Sequence, residues 1–325
     1  MKTVVISTLL VTLGVTAGCA GGASSASNAG TSTATTSCGL PLTVAAPPQR
    51  ALAMEQNATE ILLTLGLADR MAGTSYQTDP VLPALKTGYD AVPVLAKLYP
   101  NRESVLAAKP DFVYSTFTSA YAPDAAGPRA DLRQLGVPAY LSRFACEDPA
   151  TGESAVTFDG ILAEVTEIAG IFGVADRGAQ VVADQQQRLA ATENTGKKDT
   201  DLLWYYSGTS TPYVAGQNGV PAAIGAHLGV GNAYGDAAQT WPAGSWEEIA
   251  QRNPDVIVLA DLTRGGDGDS AQSKMDFLRA NPVTRELDAV RDNRFITVAG
   301  SSMDPSIRSV TAAEQVAAGL KELQK

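Results

Sequence analysis

One unit of this chain is written twice, and that duplication restricts the fold more than any other feature. Residues Glu103 to Val113 read ESVLAAKPDFV, and residues Glu247 to Ile257 read EEIAQRNPDVI. In each copy a glutamate opens a short helical run, proline follows seven positions later, and aspartate leads into apolar strand-forming residues. Proline cannot continue a helix and biases the residue before it away from helical geometry, so helix gives way to strand at that point. Asn101 and Ser245 stand just ahead in N-cap position, where a side-chain oxygen can take up the free N–H groups of the first turn. A weaker echo matches Thr59 to Gly66 with Ala222 to Gly229, each ending in Leu-Gly, with a glycine suited to a left-handed cap. Two echoes in the same order predict two similar lobes.

The rest of the pattern agrees. Ala51 to Met54 precedes a helical run from Ala58 to Leu65, and Asp111 to Tyr114 follows another from Glu103 to Ala108. Such alternation predicts βαβ units, hence an α/β protein of two Rossmann-like α/β lobes. Between the halves, Phe158 to Phe172 and Ala175 to Thr192 are two amphipathic helical runs separated by Gly173. The second would be about 27 Å long, enough to run from lobe to lobe as a stiff connector. The expected boundaries are 48–156 for the first lobe, 157–195 for the interlobe helices and 196–325 for the second lobe.

Residues 1–18 read as an export signal: Lys2, the apolar run Val4 to Val15, then Thr16-Ala17-Gly18 before Cys19. A cysteine there can carry a diacylglycerol, which would lipid-anchor the chain outside the cytoplasm; the alternative is a plain secretory signal. Residues 19–47, rich in Ala, Gly, Ser and Thr, are expected to form a flexible tether. Of the three cysteines, Cys38 and Cys146 then remain in a compartment that permits oxidation, either as a disulfide or as two separate thiols. The net charge of -10 argues against nucleic acid as partner. No later apolar stretch reaches the length of a membrane span, so the lipid would be the only membrane attachment.

The paired Glu-helix-Pro-Asp units, Thr59 to Leu62 running to Leu65-Gly66, Trp241-Pro242 ahead of Glu247, and Asn293-Arg294-Phe295 before the last strand together resemble the substrate-binding proteins of ABC importers. The resemblance covers about Pro48 to Leu323 and is to the class that serves iron-siderophores, cobalamin and haem. It implies a ligand cleft between the lobes, joined by a long connecting helix. It also implies that Glu55, Gln56 and Asn57 lie in a cleft loop, that Trp241 is a cleft tryptophan, and that Glu103 and Glu247 dock onto basic pockets of a permease dimer served by an ATPase. Two acids at equivalent places on pseudo-symmetric lobes suit a two-fold partner, setting register more than affinity. A first-turn glutamate favoured by the helix dipole is the plainer alternative. Other cleft candidates follow expected strands: Thr74-Ser75-Tyr76, Ser115-Thr116-Phe117, Arg143-Phe144, Tyr206-Ser207, and Asp261, Thr263 and Arg264.

The ligand class stays open among ferric siderophore, placed first, and cobalamin or haem. Arg143, Arg264 and Arg308 would suit an anionic chelate, whereas acidic Glu55 would suit a neutral or cationic one. Haem ligation could come from Tyr76, Tyr121 or Tyr206. No resident cofactor or metal is expected, iron or cobalt arriving inside the ligand. His227 is the only histidine, so a histidine cluster for zinc is excluded, and a structural role is expected for it. No nucleophile–base frame or phosphate loop is visible, which argues against an enzyme. Gly265 to Asp269 reads as a solvated acidic turn or a calcium loop, without the full ligand spacing of an EF-hand. A monomer is expected. The alternative function is a surface lipoprotein of the same fold with an envelope or adhesion role.

Overall fold

The computed structural model describes Met1 and residues 32–324, apart from 149 and 154. Residues 2–31, which hold Cys19 and nearly all of the expected export signal, lie outside the described residues. Two five-stranded sheets organise the described residues, with a separate two-stranded hairpin beside them. In the first lobe β3 (Ala51–Ala53), β4 (Met71–Ser75), β5 (Val94–Ala96), β6 (Phe112–Ser115) and β7 (Ala139–Leu141) form a parallel sheet in the order β5-β4-β3-β6-β7. Its helices are α1 (Gln56–Thr64), α2 (Lys86–Asp90), α3 (Arg102–Ala107) and α4 (Arg129–Gln134). In the second lobe β8 (Asp201–Ser207), β10 (Gly231–Asn232), β11 (Val256–Asp261) and β12 (Phe295–Ala299) run parallel in the order β10-β8-β11-β12, and β9 (Tyr213–Val214) adds antiparallel to β8. Helices α7 (Val220–Leu228), α8 (Trp246–Arg252), α9 (Ala271–Ala280), α10 (Asp288–Arg291) and α11 (Ser309–Glu322) belong to this half.

The repeated unit does the same mechanical job in both lobes. Asn101 caps α3 by accepting from Ser104 N at 2.9 Å, and Ser245 caps α8 by accepting from Glu248 N at 3.1 Å. Each helix then turns through a left-handed residue just before the proline, Lys109 at φ 48° and Asn253 at φ 42°. The aspartate after the proline ties down the start of the neighbouring strand. Asp111 accepts from Gln49 N and Arg50 N at 2.7 and 2.9 Å, and Asp255 accepts from Asp201 N at 2.8 Å. The following strand, β6 or β11, therefore falls beside the first strand of its lobe. The weaker echo also holds, since α1 follows the first strand directly and α7 follows it after the short β9, and each leads to the strand on its other side.

The connector is a helical hairpin rather than one rod. Helix α5 (Phe158–Ile171) puts Ile161 and Leu162 into the core of the second lobe and Val165, Ile168 and Ile171 into that of the first. Helix α6 (Ala175–Ala190) runs back, with Val181 in the first core and Leu189 in the second. Gly178 lets them touch, because a Cβ there would lie 2.4 Å from that of Ala169. Both helices bridge the lobes.

Residues 33–44, expected within a flexible tether that reaches residue 47, form a hairpin instead. Strands β1 (Thr33–Ser37) and β2 (Leu40–Val44) pair antiparallel around a Cys38-Gly39 turn in which both residues have positive φ. Leu42 and Val44 are buried in the first core, and Ser37 Oγ donates to Leu141 O at 2.8 Å. Small polar composition suggested a tether, but Thr33, Thr35 and Thr36 are β-branched residues that suit a strand. Cys38 and Cys146 form a disulfide, which fixes the hairpin to the segment leaving β7.

Candidate functional site

A cavity of about 840 Å³ lies between the lobes, lined by residues at the carboxyl ends of strands from both sheets. This is where open α/β sheets place ligand loops. Glu55, Tyr76 and Phe117 follow β3, β4 and β6, facing Tyr206 and Ser207 at the end of β8, Leu262 and Arg264 after β11, and Ser301 and Asp304 after β12.

Glu55 is the N-cap of α1. Its carboxylate accepts from Ser115 Oγ at 2.7 Å, Thr116 N at 2.8 Å, Thr116 Oγ1 at 3.1 Å and Ala58 N at 3.4 Å. Burial outweighs these hydrogen bonds and pushes its pKa up to about 7. Gln56 joins the cleft floor to the loop after β4: its Oε1 accepts from Asp79 N at 2.7 Å and Thr78 N at 3.0 Å, and its Nε2 donates to Asp79 O at 3.0 Å. Asn57 is 2 % exposed, and its Oδ1 has no hydrogen-bond partner among the described residues.

Aromatic rings form the walls. Tyr76, held at φ 47°, meets Tyr99 edge to face with centroids 4.7 Å apart. A non-glycine residue held in the left-handed region is the kind of local strain that collects at binding sites. Across the gap Tyr206 and Trp241 lie 4.9 Å apart, and the Arg264 guanidinium sits 5.5 Å above the Tyr206 ring. Asp269 fixes Arg264 at 2.8 Å and itself accepts from Gly266 N at 2.7 Å. Half-buried Asp304 has its pKa pushed up to about 7, first by burial and then by the charge of Asp79, against the opposing pull of Arg264.

Of the cleft candidates, the structure brings Glu55, Gln56, Asn57, Tyr76, Phe117, Tyr206, Trp241 and Arg264 together around this cavity. Thr116 is not a lining residue; it lies beneath Glu55 and holds that carboxylate. Phe144 is a correction. A short 3-10 turn, Arg143–Ala145, follows β7 and points it into the core of the second lobe beside α5, outside the cleft. Arg143 is likewise spent elsewhere, pairing with Glu153 and Glu167 at 3.0 and 2.8 Å. Arg308 pairs with buried Glu60, so Arg264 alone of the three arginines reaches the cleft.

As a haem ligand Tyr121 fails, because it is buried and its hydroxyl donates to Tyr140 O at 2.6 Å. Tyr76 and Tyr206 do line the cavity, and burial and the nearby Asp304 charge push the Tyr206 phenol up. The sequence reading missed Tyr99 and Asp124, which line the cavity from loops, Tyr213 in the short β9, and Ser301 and Asp304 just past β12. His227 is structural: its Nε2 lies 3.0 Å from both Thr192 Oγ1 and Leu189 O, joining α7 to the end of α6. In the acidic turn, Asp267 is taken up by Thr209 and Asp269 by Arg264 and Gly266, and no group of metal-ligating side chains occurs among the described residues. Glu103 and Glu247 are exposed in the first turns of α3 and α8.

Two similar lobes bridged by helices around an aromatic-lined cleft define a ligand-binding protein of the two-lobed type. The chain belongs to the periplasmic binding protein family, whose model matches residues 52–300. Among its relatives is the vitamin B12-binding protein of Vibrio parahaemolyticus, 25% identical over 259 residues that cover 78% of this chain and 82% of that protein. Among solved structures, a periplasmic binding protein from Veillonella parvula superposes with a TM-score of 0.79 at 29% identity, covering 90% of this chain and 98% of that one. The ABC-type Fe3+-hydroxamate transport protein from Saccharomonospora viridis gives 0.74 at 23% identity, covering 88% and 98%, a likeness of fold. The chain is therefore a substrate-binding protein rather than an enzyme, and the resemblance read from the sequence stands.

Proposed function

We propose that this is an extracytoplasmic lipoprotein of an ABC importer, which holds a metal chelate in the interlobe cleft and passes it to a permease dimer coupled to an ATPase. A ferric siderophore is the first choice of ligand, with cobalamin and haem next. The observation that carries this reading is the aromatic cleft itself: its 840 Å³ falls in the range of about 300–1,000 Å³ usual for small-molecule sites. Flat rings with a few polar groups suit a chelate whose outer surface is mostly carbon. A vitamin B12-binding relative and a fold neighbour from a hydroxamate system support the same ligand class. The metal arrives within the ligand, and the protein needs no resident cofactor.

Glu103 and Glu247, exposed at matching places on the two lobes, support docking onto a two-fold permease. Attachment to the membrane is through lipid on Cys19 alone, and no helix among the described residues is long and apolar enough to cross a membrane. The protein acts as a monomer.

The test is titration with ferrioxamine B, cyanocobalamin and haemin, followed by intrinsic fluorescence quenching. At least one should bind with a Kd below about 10 μM, equivalent to about -7 kcal/mol. Failure of all three overturns the ligand class. In cells, charge reversal of Glu103 and Glu247 together should abolish uptake and leave affinity unchanged; a loss of affinity would refute docking.

A further inference from the structure

The carboxylates that line the cleft outnumber its basic side chains, and this bears on the charge of the ligand. Glu55 is already engaged by four donors, and both ends of the Gln56 amide are bonded to protein. The one guanidinium, Arg264, is held by Asp269. Several lining groups remain open, Asp304, Asn57 and Ser301 among them. The Asp304 carboxylate accepts no hydrogen bond among the described residues, although it lines the cavity. Asn57 Oδ1 and Ser301 Oγ also lack partners, in residues only 2 % and 6 % exposed that face the same space. A buried polar atom without a partner costs about 1–3 kcal/mol, and a buried charge costs more. A ligand that supplies donors recovers that cost, whereas an anionic ligand adds to it.

The surrounding charges point the same way. Glu55, Asp124 and Asp304 line the cavity against Arg264 alone, and buried Asp79 stands behind, accepting from Ser301 N at 2.8 Å. The basic side chains that could have reversed this, Arg143 and Arg308, are bound to glutamates elsewhere.

We propose that the ligand carries a protonated amine, or an equivalent cationic donor, which seats against Asp304 beside Ser301 while the aromatic walls cover the rest. The ligand class is thus a cationic chelate, set apart from anionic tricatecholates and carboxylate siderophores. This rests on the cleft being a chelate site, as proposed above.

Three probes separate the two claims: cationic ferrioxamine B, its N-acetylated neutral derivative, and anionic ferric enterobactin, each titrated against the wild-type protein and Asp304→Asn. Expected is tightest binding of the cationic complex, a loss of about tenfold or more on acetylation, and a similar loss with Asp304→Asn for the cationic probe only. Equal affinity for the acetylated and free complexes, tighter binding of the tricatecholate, or a uniform loss in Asp304→Asn would overturn the cationic assignment and leave the chelate reading intact. Binding of none of the three would refute the cationic assignment, and the chelate reading falls with it only if cyanocobalamin and haemin also fail to bind. The acetylation comparison uses unaltered protein, so it decides the matter even where the variant fails to fold.

Discussion

At the scale of single residues, the cleft is held in a costly electrostatic state. Glu55 and Asp304 both have pKa values near 7 in the fold, pushed up by burial, against ordinary values of 4.5 and 3.8. Between about pH 4 and pH 7 the folded protein therefore binds protons that the unfolded chain has released, and stability falls as pH rises through that window. The apo protein should melt at a higher temperature at pH 5 than at pH 8, and Asp304→Asn should flatten the slope; a melting profile that rises toward pH 8 would contradict this. Trp241 is half-buried and packs against Tyr206 with the ring planes tilted by 46°. Trp241→Ala should cost a bound chelate about 2 kcal/mol, a hot-spot loss, and leave the melting temperature near that of the wild type. The site was legible where a residue directly follows a strand, as with Tyr76, Phe117 and Arg264. It was not legible at Tyr99, Asp124 or Asp304, whose loops the two-lobe geometry alone brings to the cavity. Phe144 also follows a strand, yet one short turn sends it into the core of the second lobe.

At the scale of elements, local chemistry was readable wherever a backbone group needs a particular partner. Asn101 and Ser245 cap their helices, and Gly229 closes α7 at φ 75°, because free N–H and C=O groups leave few alternatives. Asn101→Ala and Ser245→Ala should each destabilise by about 1 kcal/mol, and should add in the double variant because they lie in different lobes. The hairpin β1–β2 was not readable, because its burial depends on the edge of β7 and on Cys146, more than a hundred residues away. A Cys38→Ser/Cys146→Ser variant should lose about 2–5 kcal/mol of stability. Neither cysteine lines the cleft, so ligand affinity should persist in that variant. Equal urea midpoints for the variant and the wild type would show that the hairpin is held by burial alone.

At the scale of the whole molecule, the two lobes are joined by more than the α5–α6 hairpin. Ile307, from the second half of the chain, is buried in the first core, and the adjacent Arg308 forms a two-point ion pair with Glu60 of α1. Both side chains are almost fully buried, at 5% and 0% exposure. Arg308 also donates to Pro80 O at 2.6 Å, and Glu60 accepts from Leu82 N at 3.1 Å and Gln56 Nε2 at 3.2 Å. The cleft floor and the interlobe joint therefore share one network. Removing one partner leaves a charge stranded in the interior, so Arg308→Met should destabilise by about 3–5 kcal/mol. Adding Glu60→Gln removes that charge while keeping an acceptor for Leu82 N, and should restore most of the loss in urea unfolding. Because an ion pair of this geometry and two bridging helices fix the angle between the lobes, ligand binding should change the radius of gyration by no more than about 1 Å, the scale of backbone movement in pre-organised sites. A contraction of several ångströms in small-angle scattering would mean that the joint opens and closes, and that the pair is a latch instead of a fixed tie.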